Sequence, residues 1–146
     1  MGLDRAQIGK RYPPLRYDVG REKIREYANA VGEAGAVHHD RDAAIAAGFR
    51  DVVAPPMFCV VYAAGAMGPA VLDPALGIDF GRLLHGGQEF TWGEPVCAGD
   101  VIETSVAVAD LYEKGPNTFY VFESVSTNER GEEVVRGTWT NIVRGA

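Results

Sequence analysis

Cysteine is scarce in this chain of 146 residues: there are two, Cys59 and Cys97, and they form no Cys-x-x-Cys pair. That excludes a disulfide framework and a cysteine-based zinc site, and leaves two small apolar residues of the kind that cores bury. Positive charge is also short. Fourteen Lys and Arg face twenty Asp and Glu, for a net charge of −6, whereas a nucleic-acid binder needs a basic face to displace counterions from phosphate. A few local arginines can still serve a small anionic ligand. Low-complexity tracts are lacking, and 47% apolar against 23% charged residues is the balance of a soluble globular domain rather than a disordered chain. The length suits one domain, spanning 1–146. The residues Met1-Gly2-Leu3-Asp4-Arg5-Ala6 carry neither the basic and apolar regions of a signal peptide nor the Ser or Thr of a myristoylation site. A cytoplasmic protein is expected.

Charge is missing altogether from Val52 to Leu72, which is 21 residues and long enough to raise a membrane span. Pro55 and Pro56 stand near its start, however, and Gly65, Gly68 and Pro69 interrupt its second half. The continuous apolar part, Met57 to Met67, has the length of a helix buried on most sides in a soluble core. No membrane partner is expected.

What is present divides the chain into two halves. In the first, Ile24, Tyr27, Ala28 and Val31 recur at helical spacing, which predicts a helix from Arg21 to about Val31, capped by Asp18 or Gly20 and stopped by Gly32. Asp40 is placed to cap a short helix over Arg41 to Ala47, and proline at the first position starts the apolar helix. From Pro69 through Gly77 the chain is expected to be irregular. The second half alternates in the manner of strands: Leu83 to Trp92, Val101 to Tyr112, Thr118 to Thr127 and Val134 to Val143. Long antiparallel strands after one apolar helix predict an α+β fold, the sheet wrapped around the helix. Such a sheet leaves an edge, and an edge invites another subunit.

Candidate chemistry is sparse. There is no Gly-x-Ser-x-Gly elbow and no phosphate-binding Gly-Lys-Ser/Thr loop. The histidines are His38, His39 and His85. Glu33, His38, His39 and Asp40 contain metal-ligating types, but adjacent histidines point apart and no helical i, i+4 pair exists, so no metal is expected. An acid/base pair suits the residues better. Glu33 and His38 sit five residues apart across a Gly-rich loop, where a carboxylate and an imidazole can share one water or one substrate proton. A solvated loop histidine beside a surface glutamate is the alternative reading of the same spacing.

Gly32-Glu33-Ala34-Gly35-Ala36-Val37-His38 resembles the Gly-Asp-x-Asn-Pro-Leu/Ile/Val-His motif of MaoC-like (R)-specific enoyl-thioester hydratases. The similarity continues through Ala47-Gly48-Phe49, Val53-Ala54-Pro55-Pro56-Met57-Phe58, Leu84-His85-Gly86-Gly87-Gln88-Glu89-Phe90 and Pro95-Val96-Cys97-Ala98-Gly99-Asp100. It covers almost the whole chain and is similar to the stand-alone, N-terminal-type members of actinobacteria, among them the A and C subunits of the mycolic-acid (3R)-hydroxyacyl-carrier-protein dehydratase.

The resemblance implies a single hot-dog fold that works as a homodimer or as a heterodimer with another hot-dog subunit, without a cofactor. It implies syn addition of water to trans-2-enoyl thioesters of CoA or acyl carrier protein, or the reverse dehydration. His38 and Glu33 would be the catalytic pair, and a backbone N–H at Met57 or Phe58 the oxyanion donor. Gly35, His85 and Gly86 would line the site, and Arg50 or Arg82 would lie near a phosphopantetheine entrance. The motif departs from the family at Glu33, Gly35 and Ala36, where Asp, Asn and Pro are usual. Glu33 keeps the charge but adds about 1.5 Å of reach, and Gly35 lacks an amide that would orient the loop. A non-catalytic acyl-binding subunit with a catalytic partner is therefore a second reading, and a hot-dog thioesterase a third.

Overall fold

The computed structural model describes residues 2–145. Five strands, β1 (Leu15–Asp18), β2 (Leu83–Trp92), β3 (Val101–Lys114), β4 (Asn117–Thr127) and β5 (Glu133–Val143), form one antiparallel sheet in the order β1-β3-β4-β5-β2. Three helices complete the fold: α1 (Arg21–Ala30), α2 (Arg41–Ala46) and α3 (Cys59–Val71), the last preceded by a 3-10 turn over Pro56–Phe58. This is the α+β hot-dog arrangement, with α3 held inside the sheet's curve.

The central helix has no charged residue and buries Cys59, Tyr62, Ala63, Ala66, Met67 and Ala70. Three of those six are alanines, whose small side chains let the sheet approach closely. The facing surface of the sheet supplies alternating buried residues, Ile102, Thr104, Val106 and Val108 on β3 and Tyr120, Phe122, Ser124 and Ser126 on β4. The hydroxyls of Thr104, Ser124 and Ser126 are partnered. Thr104 Oγ1 and Ser126 Oγ share a hydrogen bond of 2.7 Å, and Trp139 Nε1 donates to Ser124 Oγ at 2.8 Å. Among the described residues no buried side-chain nitrogen or oxygen lacks a hydrogen-bond partner. Gly137 on β5 is required by this packing: a Cβ there would stand 2.8 Å from Ser124 Oγ and 2.9 Å from Phe90 Cε1.

Two expectations from the sequence are corrected. The apolar helix does not give way at Pro69 but continues through it to Val71. Proline has no N–H to give the carbonyl four residues back. That carbonyl belongs to Gly65, an exposed residue, so water can serve it. The first half also contains a strand, β1, which pairs Leu15 with Thr104 and Tyr17 with Ile102. Four residues are too few to show alternation above the surrounding charge. The helices otherwise begin as expected, Gly20 capping α1 and the Asp40 side chain accepting from Asp42 N at 2.9 Å to cap α2. Among the described residues no helix is long and apolar enough to cross a membrane.

The N-terminal segment is tied to the loop after α3 by Asp73, whose Oδ2 lies 2.6 Å from Lys10 Nζ and 2.6 Å from Tyr12 Oη. Hydrogen bonds from Lys10, Tyr12 and the Ala75 amide lower the Asp73 carboxyl to about 2. A carboxyl lowered on folding stabilises the native state above its unfolded value and stops doing so as pH falls through the folded one. Asp73→Asn should therefore lower the thermal midpoint at neutral pH, and its deficit relative to the unsubstituted protein should shrink as pH is taken from 3.8 towards about 2. Phe122, fully buried where β4 faces α3, should cost about 3–5 kcal/mol when replaced by alanine, read as a shift of the urea midpoint at constant slope.

Candidate active site

The loop between α1 and α2 is tied to itself and to the core. Gly32 has a φ of +75°, a left-handed turn that lets Glu33 N donate back to Ala28 O at 2.8 Å. Residues Ala36–His38 form a 3-10 turn. His39 Nε2 donates to the Glu33 carbonyl at 2.8 Å, so the second histidine clamps the loop. Val53 N donates to Val37 O at 3.0 Å, and His38 Nδ1 donates to Val53 O at 2.6 Å.

The last bond decides the chemistry of His38. A carbonyl only accepts, so Nδ1 carries the proton and the neutral ring keeps its lone pair on Nε2. Glu33 Oε1 accepts the Gly35 N–H at 3.1 Å. A Cβ on Gly35 would lie 3.1 Å from Glu33 Oε1 and 3.8 Å from His38 Nε2. The carboxylate and the imidazole therefore both border the space that a side chain on Gly35 would fill. The residue that departs from the family's Asn is the one that lets them do so.

His38 borders an apolar cavity of about 340 Å³, within the usual range of small-molecule sites. Its other walls include Val53, Phe58, Cys59, Tyr62 and Trp92. Phe58, fully buried, anchors an aromatic cluster behind the cavity, with ring centroids 5.5 Å from Tyr27, 6.4 Å from Tyr17 and 6.1 Å from Tyr62. Burial pushes the Cys59 thiol up to about 11, against a smaller opposing effect of a hydrogen bond from Trp92, and burial also raises the Tyr62 phenol. Both groups are neutral at pH 7.

The 3-10 turn that starts α3 forms another wall. Phe58 N–H donates to Pro55 O at 2.8 Å, so that amide is engaged. The Met57 N–H, one residue earlier, has no acceptor among the described residues. Met57 as a whole is 45% exposed.

Other expected residues lie elsewhere. His85 and Gly86 sit on β2, at a break in its pairing with β5, and neither lines the cavity. Gly86 answers to packing instead, because a Cβ there would meet Ile142 Cδ1 at 2.4 Å. Arg82 pairs with Asp79 on the surface. Arg50 is bonded to the buried Asp100, at 3.0 Å from its Oδ2, and borders a second hollow of about 260 Å³ that shares Phe49, Glu94 and Pro95 with the first. Both cysteines are buried, as expected. Sequence reasoning missed Trp92 and Tyr62 as cavity residues. Nothing in their spacing marks them, since one ends a strand and the other sits mid-helix.

A family model described as "FAS1-like, dehydratase domain region" matches residues 6–136. A UPF0336 protein of Saccharopolyspora erythraea is 43% identical over 99% of this chain and 94% of its own length. UPF0336 protein SCO4636 of Streptomyces coelicolor is 40% identical over the whole chain and 97% of its own. Among solved structures, a MaoC-like dehydratase superposes with a TM-score of 0.86 at 27% identity over 97% of this chain, which spans 43% of that protein. The truncated HadBC (3R-hydroxyacyl-ACP dehydratase) complex from Mycobacterium tuberculosis superposes with a TM-score of 0.78 at 29% identity, over 93% of this chain and 96% of that one.

The raised thiol carries a consequence. Cys59 should react slowly with iodoacetamide at pH 8 in the native protein and rapidly after unfolding in guanidinium chloride, followed by mass spectrometry.

Proposed function

Because the chain belongs to the family of FAS1-like dehydratase domain regions, we propose that it dehydrates (3R)-3-hydroxyacyl thioesters, and in reverse hydrates trans-2-enoyl thioesters, of CoA or an acyl carrier protein. The observation that carries this reading is the His38 ring, its Nε2 freed by the Nδ1–Val53 bond, beside Glu33 and at the wall of an apolar cavity. In the hydration direction a water is held between Glu33 and His38 Nε2. It loses a proton to that base as its oxygen adds to C3, and a proton is returned to C2 on the same face. Negative charge gathers on the thioester oxygen during the addition. The free Met57 N–H, at the positive end of α3, is the donor that meets it. The walls are mostly apolar, with Glu94 the one carboxylate among the lining residues, which suits an acyl chain, and neutral Cys59 and Tyr62 add no charge.

The Gly35 geometry favours a second reading. With no side chain between Glu33 and His38, the pair lacks the amide that orients the loop in the family motif, which suits a subunit that holds the acyl chain for a catalytic hot-dog partner. The HadBC and ChsH1-ChsH2 neighbours are complexes of two different chains, which supports a hot-dog partner here.

Hydration of crotonyl-CoA and longer enoyl-CoAs by the purified chain, followed as loss of ultraviolet enoyl-thioester absorbance, tests the first reading. His38→Ala should then lower the rate by about 10²–10⁴. Activity that needs a co-expressed partner and survives His38→Ala selects the second reading, and no hydration under either condition overturns the enzyme. Release of free CoA, detected with a thiol reagent, would mark a thioesterase instead. Gly35 has a φ of −57°, so Gly35→Ala brings no backbone strain and pushes only on Glu33 and His38. If the pair is catalytic, that substitution should slow hydration by about 10²-fold with little change in thermal midpoint.

A further inference from the structure

Trp92 ends β2 and presents its ring to the cavity, 48% exposed. Its indole Nε1 donates to the Pro56 carbonyl at 2.8 Å, across 36 residues of sequence. That carbonyl also accepts from the Cys59 N–H at the end of the 3-10 turn, which is shared with the Met57 carbonyl. The Pro56 carbonyl and the Met57 N–H belong to one peptide unit. The unit is planar and trans, so its C=O and N–H point in opposite directions. Gripping the oxygen from β2 therefore sets the direction of the N–H. Donation into a carbonyl also draws electron density from the amide nitrogen and makes its N–H a stronger donor.

We infer that Trp92 is a positioning residue, which acts through the Pro56–Met57 peptide to aim and polarise the oxyanion donor. The inference rests on the hydratase reading above and adds a residue to it. Several features set this contact apart from ordinary strand packing. A half-exposed indole at a sheet end has water available as an alternative acceptor, yet it is hydrogen-bonded to the first turn of the central helix. The peptide it holds carries an N–H with no acceptor among the described residues, between Phe58, whose N–H is engaged by Pro55, and Pro56, which has none. The contact also joins the sheet to the helix where the two walls of the cavity meet.

Trp92→Phe keeps an aromatic ring at the end of β2 while removing the indole N–H that serves Pro56 O and lies near the Cys59 thiol, so it is the variant to test. With enoyl-CoA substrates, the expected result is a roughly tenfold loss in kcat, with KM changed less than about twofold, because the lost polarisation acts on the transition state rather than on acyl binding. Two readouts that simple structural support would not move accompany the kinetics. The carbonyl stretch of bound ¹³C-labelled butyryl-CoA, a saturated thioester that cannot be hydrated, should return towards its value in water. The ¹⁵N shift and hydrogen-exchange rate of the Met57 amide should change, while those of amides in β3 and β4 stay in place and report an intact fold. Unchanged kcat together with an unchanged carbonyl stretch overturns the inference. So does an unchanged Met57 amide, whatever the activity. Absence of hydration by the unsubstituted chain, with and without a partner, overturns the hydratase reading instead, and the two failures are thereby told apart.

Discussion

The fold depends on the burial of one helix. α3 carries no charge, so it cannot lie on a surface, and its alanines at 63, 66 and 70 leave it too slender to fill a core alone. A curved sheet is the partner that covers such a helix on several sides at once. The alternation of β3 and β4 follows from that requirement: every second residue faces α3 and is buried. The cavity follows as well. Where α3 begins, the large residues Phe58, Tyr62 and Trp92 hold the walls apart, and the space among them remains open.

The site takes its chemistry from backbone more than from side chains. One carbonyl, Val53 O, selects the His38 tautomer, and another, Pro56 O, is gripped by Trp92. Both belong to the segment from Val52 to Phe58 that leads into α3, so burying the helix also brings His38 and the turn over Pro56–Phe58 to the same cavity. The loop holding Glu33 is attached to this segment through the Val37–Val53 bond and to itself through His39. Glu33 is exposed, whereas His38 is part-buried. The pair is thus asymmetric: the His38 ring is bonded to the Val53 carbonyl, whereas the Glu33 carboxylate is bonded, among the described residues, to the Gly35 amide alone.

Much of this was legible along the chain. The four long strands, both short helices, the Asp40 cap and the buried cysteines follow from alternation, capping chemistry and composition, which are local properties. Glu33 and His38 were legible as a pair through their motif, and Gly35 as its departure. Pro69 misled because its missing N–H matters only where the orphaned carbonyl has nowhere to turn, and Gly65 leaves that carbonyl open to water. β1 was hidden because four residues between charges carry no period of their own; it exists through its pairing with β3. His85 and Gly86 were expected at the site through the resemblance; they sit at a break in register, Gly86 against Ile142, and neither lines the cavity beside His38.

The amino-acid sequence by itself determined the class of fold, the apolar helix at its centre and the residue types available for acid/base work, because periodicity, charge and motif are written in order along the chain. Only the tertiary structure decided which nitrogen of His38 is free, which amide at the start of α3 is unpaired, and that a tryptophan from β2 holds the peptide next to it. Each of these is a hydrogen bond between residues 15 or more positions apart or the absence of one. Such bonds depend on where folding places the partners rather than on anything adjacent in the chain.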